Sequence, residues 1–98
     1  MQIKIHESYR NVVALCDSNL LGKQFEEGKF QLKIKENFFK GQEVNETEAV
    51  KTLQAQSEED ATFNIIGEKS TKAAIKAGII TKENIMKIQG VPLALTLL

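Results

Sequence analysis

Apolar and polar residues alternate at the start of the chain, where Ile3 and Ile5 sit between Gln2, Lys4 and His6. Period-two alternation predicts a half-buried strand, with His6 on its wet side. A polar turn at Ser8-Tyr9-Arg10-Asn11 leads into Val12-Val13-Ala14-Leu15-Cys16, an apolar, β-branched run of the kind that a strand covered on both faces carries. The short turn between the two predicts an antiparallel hairpin. Asp17-Ser18-Asn19 offers cap and turn residues, and the polar stretch from Gly22 to Gly28 is expected as a compact loop or single helical turn. Alternation returns from Lys29 to Lys35: Phe30, Leu32 and Ile34 face one way, while Gln31, Lys33 and Lys35 give a basic solvent face. Phe38-Phe39-Lys40-Gly41 then reads as an aromatic anchor closing on a turn.

Helical period takes over in the second half. Asn45 and Glu48 stand at the spacing of a capping box, Val44 and Ala49 at that of a hydrophobic staple, and Ala49, Val50 and Leu53 recur on one face. A helix from about Glu46 to Ser57 follows. Ala61 to Ile66 reads as a strand, and Gly67 turns the chain into a second helix, Glu68 to Ala77, stopped by Gly78 in the left-handed position. Ile85 to Ile88 and Leu93 to Leu98 predict two last strands around Gly90-Val91-Pro92, with a helical turn after Thr81 as the alternative for the first. The order β-β-loop-β-α-β-α-β-β implies a single α+β (mixed α/β) domain over residues 1–98, one sheet of five to six strands carrying two helices.

Composition changes this picture mainly by exclusion. One cysteine, Cys16, and one histidine, His6, leave no internal disulfide, no multi-cysteine metal cage and no two-histidine site. Cys16, at the end of an apolar run, is expected as a buried structural thiol. Thirteen basic and thirteen acidic residues cancel, so no global field draws the chain to nucleic acid or membrane. The charge is nonetheless segregated: residues 1–40 carry seven basic and five acidic side chains, 41–60 one and six, and 61–98 five and two. The opening residues lack a signal-peptide run and the apolar tail is too short to span a bilayer, so the expected location is cytoplasmic and the expected partner is not a membrane.

Ile66-Gly67-Glu68-Lys69-Ser70-Thr71 invites comparison with a phosphate loop, but the second glycine is missing and Glu68 would repel a phosphate. An anion on the free amides of this helix start stands as an alternative to a plain strand-to-helix turn. Lys69, Lys72 and Lys76 share a helical stripe that, with Lys33 and Lys35, could contact several phosphates; a solvated lysine face is the plainer reading, since no arginine reinforces the stripe and no aromatic stacking platform for single-stranded RNA is evident. Neither catalytic residues nor a cofactor or metal site is assigned.

The run Val13-Ala14-Leu15-Cys16-Asp17-Ser18-Asn19-Leu20-Leu21-Gly22-Lys23-Gln24-Phe25-Glu26-Glu27-Gly28, together with Phe38-Phe39-Lys40-Gly41, Ile66-Gly67-Glu68, Ala74-Ile75-Lys76-Ala77-Gly78-Ile79-Ile80 and Gly90-Val91-Pro92, resembles a small archaeal family known as a domain of unknown function. The resemblance spans nearly the whole chain. It implies an archaeal cytoplasmic protein associated with translation genes. In the family the last motif continues with a histidine; Leu93 stands there in this chain.

Two functional readings follow. The first is a non-catalytic binding module of the translation apparatus, meeting ribosomal RNA or a ribosome-associated protein through Asp17, Lys23, Glu26, Glu27, Lys33, Lys35, Lys69, Lys72 and Lys76. The second is a small enzyme or ligand-binding domain around the Asp17–Gly28 loop, using Asp17, Lys23 and Glu26. A homodimer through a C-terminal edge strand, Leu93–Leu98, is compatible with either.

Overall fold

A computed structural model describes residues 1–96. Its central six-stranded sheet contains β1 (Gln2–His6), β2 (Val12–Cys16), β5 (Gln42–Glu43), β6 (Thr62–Ile66), β7 (Met86–Ile88) and β8 (Val91–Thr96), in the order β5-β1-β2-β6-β8-β7. β2 and β6 run parallel at its centre, and every other pair is antiparallel. Central position explains the unbroken apolar run in β2: Val13 to Cys16 are all fully buried, because alternate residues enter cores on opposite faces.

One face is covered by α2 (Glu46–Glu58) and α3 (Glu68–Lys76). Its core joins Val13, Leu15, Phe63 and Ile65 of the strands to Ala49, Leu53, Ala73 and Ala74 of the helices. The α3 alanines allow the close helix–sheet approach that a larger side chain would block. α2 starts where the sequence says it should: the Asn45 side chain accepts from the Glu48 amide at 2.8 Å, and the Glu48 side chain accepts from the Asn45 amide at 3.0 Å. This capping box satisfies two helix-end donors.

The opposite face is only half covered. Ala14, Cys16, Ile66, Ile88 and Leu93 pack there against Leu32, Ile34 and Phe39, with Leu20, Leu21 and Phe25 at the margin. The cover is a hairpin of β3 (Gln24–Glu27) and β4 (Phe30–Lys33), followed by the one-turn helix α1 (Glu36–Phe39). The stretch between Gly22 and Gly28 is therefore a strand after a 3-10 turn at Ser18–Leu20, not the expected loop or helical turn. Phe25 is its lone apolar residue, so alternation is invisible until Leu32 pairs across from it. Gly28, at φ 59°, and Lys29 form the two-residue connection, glycine first as a II′-type hairpin turn requires.

Three further expectations are corrected. The strand near Lys33 belongs to this separate two-stranded sheet, and the sixth strand of the main sheet is the two-residue β5. The described residues form three α-helices, since Phe38-Phe39 sits in α1 and not in a simple turn. The C-terminal strand is an edge only in part: β8 lies between β6 and β7, Val91 to Leu93 pair with β7, and Ala94 to Thr96 pair with β6 alone. Leu97 and Leu98 lie outside the described residues.

Candidate functional site

Asp17 follows β2 and is 9% exposed. Its carboxylate accepts the Lys69 amide at 3.1 Å, the Ser70 amide at 2.9 Å and the Ser70 hydroxyl at 2.8 Å. The chain's own anion therefore occupies the α3 start, where free amides and the helix dipole favour negative charge. The alternative of an external anion at that spot gives way to this contact. Gly67, at φ 114°, makes the approach possible, since a β-carbon there would lie 2.4 Å from the Asp17 Cγ. The Asp17 amide donates to the Ile66 carbonyl at 3.1 Å and the Gly67 amide to the Pro92 carbonyl at 2.8 Å. Three segments that carry the family resemblance, around Asp17, Gly67 and Pro92, thus meet in one hydrogen-bonded knot. A hollow of about 300 Å³ lies over it, lined by Asn19, Glu68, Lys69 and Val91 among others.

Cys16, next to Asp17, is buried as expected. Burial, and then the neighbouring Asp17 charge, push its thiol up to about 11. Such a thiol stays protonated at neutral pH and is a poor nucleophile.

The open half of the hairpin-side face carries a larger feature, a groove of about 700 Å³. Ile66, Ile88 and Leu93 line it beside the ring of Phe30, 59% exposed, Met86, 42%, and Leu95, 63%. His6, expected to face solvent, is half-buried at the groove and stacked on Phe38, with ring centroids 4.5 Å apart and planes 18° from parallel. His6 Nε2 lies 2.8 Å from the Phe38 carbonyl oxygen; a carbonyl only accepts, so Nε2 carries the proton. Phe39 meets Phe38 edge-on at 5.1 Å. Gln31, Lys33, Lys35, Asn37 and Asn64 supply the rest of the polar lining, and the described lining residues include no Asp or Glu.

The proposed contact residues do not form one surface. Lys23, Lys33 and Lys35 line a common hollow of about 150 Å³ at the base of the hairpin, and the latter two also line the groove. Glu26 accepts from Gln24 and Gln31, and Glu27 from the Gln89 amide. Lys72 and Lys76 lie across the sheet in a hollow shared with Lys82 and Lys87, and Lys76 pairs with Glu46. Lys69 borders the Asp17 knot. Single-stripe reasoning missed His6, Phe30, Phe38, Asn64, Met86 and Leu95 as groove residues. Of these, Asn64 left a signal: asparagine is disfavoured within strands, and this one sits in the middle of β6.

The sequence profile of a family described as "Protein of unknown function (DUF424)" matches residues 6–97. The chain belongs to that family. Its fold is shared with an uncharacterized conserved protein from Methanopyrus kandleri, whose crystal structure aligns with a TM-score of 0.86 at 28% identity over 97% of this chain and 88% of that one. No curated protein matches the chain. Among the described residues, no helix is long and apolar enough to cross a membrane.

Proposed function

We propose that this member of the DUF424 family is a non-catalytic binding module of the translation apparatus that holds a single-stranded stretch of ribosomal RNA in the hairpin-side groove. The observation that carries the reading is the company kept on one open sheet face: the exposed ring of Phe30, the half-buried rings of Phe38 and His6 and a thioether beside two lysines, with no carboxylate among the described lining residues. Rings take stacked bases of any identity, and lysines take the phosphates between them. The association of the resembling family with translation genes supports ribosomal RNA as the strand. Lys23 extends the cationic rim along the hairpin base, whereas the α3 lysines lie outside this contact.

Ribosome co-sedimentation and fluorescence anisotropy with a labelled single-stranded RNA, each across a salt series, test the proposal. Binding is expected to weaken steadily with salt, and Lys33→Glu with Lys35→Glu to cost tenfold or more, on the order of two lost phosphate contacts. Free protein at the top of the gradient at low salt, with no oligonucleotide binding, would overturn it. The apolar floor of Ile66, Ile88 and Leu93 favours a second reading, a small amphipathic ligand, since the groove volume falls within the ~300–1,000 Å³ range of such sites.

A further inference from the structure

Asn64 is the side chain in the groove that packing does not explain. It occupies the centre of β6, paired in register with Ala14 of β2 on one side and Leu95 of β8 on the other. Its neighbours Phe63 and Ile65 enter the helix-side core, so alternation sends Asn64 to the groove face, where it is half-buried among apolar lining residues. The remaining polar side chains of that lining differ from it. His6 is tied to the Phe38 carbonyl, and the lysines, Gln31 and Asn37 are exposed residues of the hairpin, the segment after it and α1, which border the groove. The Asn64 carboxamide makes no hydrogen bond within the described residues. A partly desolvated amide without a partner is a cost to the fold that a β-branched residue would avoid. It offers one acceptor and two donors side by side, the arrangement that pairs with a base edge presenting a donor next to an acceptor.

We infer that Asn64 is the specificity-determining residue of the groove: it hydrogen-bonds the edge of one unstacked nucleobase, while the surrounding rings hold the base and Lys33 and Lys35 hold the backbone. The inference rests on the RNA reading of the groove. It divides the contact into two kinds of term. Stacking and phosphate contacts set how tightly any strand binds, and the amide sets which base is preferred.

The test measures binding of labelled oligo-A, oligo-C and oligo-U RNA to the full chain by fluorescence anisotropy. The unmodified protein should prefer one of the three by about tenfold, the discrimination expected of a two-point base contact. Asn64→Leu, close in volume and without polar atoms, should bring the three affinities to within about twofold of one another while leaving the weakest unchanged. Asn64→Asp, which exchanges the donors for an acceptor, should reorder the preference. Thermal melts confirm that each variant is folded, and Asn64→Leu should melt no lower than the parent. Equal binding of all three oligonucleotides by the unmodified protein, or a preference that survives Asn64→Leu, would overturn the role of Asn64 and leave the groove reading standing. Failure of every oligonucleotide to bind would instead remove the groove reading itself and this inference with it.

Discussion

The Asp17 knot and the hairpin-side groove lie on the same sheet and treat their polar groups in opposite ways. In the knot the Asp17 carboxylate has three donors and is almost sealed from water. In the groove Asn64, Lys33 and Lys35 have no partner within the described residues, while the Phe30, Met86 and Leu95 side chains stand open. Satisfied polar groups hold segments together, because separating them exposes the full desolvation cost of each. Unsatisfied ones beside exposed apolar surface are what a partner can complete. Segments that carry the family resemblance thus hold the fold together at the knot, and the groove on which the proposed contact falls is built largely outside them.

Substitution at Gly67 should break the comparison most severely. Gly67→Ala forces a β-carbon into the Asp17 carboxylate at a backbone angle that L-residues rarely adopt, and a loss of about 3 kcal/mol or more in urea unfolding is expected. Early labelling of the buried Cys16 thiol would report the same loss independently. Asp17→Ala, which strands the Ser70 hydroxyl and two helix amides, should cost about 2–3 kcal/mol by the same measurement. Either variant leaving stability unchanged would mean that the knot is not structural.

Groove variants should show the reverse pattern. Phe30→Ala removes a largely exposed ring, so stability should move by no more than about 0.5 kcal/mol, while RNA affinity falls by about tenfold through lost stacking. A Phe30→Ala protein that binds as before would detach the ring from function. Lys72→Ala with Lys76→Ala, across the sheet, should leave RNA binding and its salt slope unaltered. A drop equal to that of Lys33→Glu with Lys35→Glu would return the helix stripe to the contact surface.

The smallest effect is expected at Glu43. Its carboxylate takes hydrogen bonds from the chain's amino terminus at 2.6 Å, from Ser18 and from Gln2, which hold its pKa down at about 2. Because this lies below the ordinary glutamate value of about 4.3, the contacts contribute fully above that pH and are lost as pH falls toward 2. Glu43→Gln should flatten that part of the acid-unfolding profile slightly, lying a little below the parent at neutral pH and converging with it near pH 2. The group is exposed, so solvent screening keeps the difference small.

Legibility followed the range of the interactions. α2 could be read from its ends because Asn45, Glu48, Val44 and Ala49 are near neighbours in sequence. β2 could be read because a strand buried on both faces needs an apolar residue at every position. β3 could not, since Gln24, Glu26 and Glu27 carry no strand signal and pairing with β4 supplies the structure. β5, two residues long, exists only as an addition to β1. Asp17 was noticed as a cap residue, but the helix it caps begins 51 residues later.

The sequence by itself determined the α+β class, both long helices, the burial of Cys16 and the absence of a repeated cysteine or histidine pattern, because these depend on local periodicity, local caps and residue counts. Tertiary structure alone decided which lysines share a surface. It placed Lys33 and Lys35 with the rings of Phe30 and Phe38, and sent Lys72 and Lys76 to the far side of the sheet. A strand shows its two faces in alternation whatever the order of its neighbours, but the face that a hairpin or helix covers is chosen by packing between residues far apart in the chain. The groove is the part of one face that this choice left open.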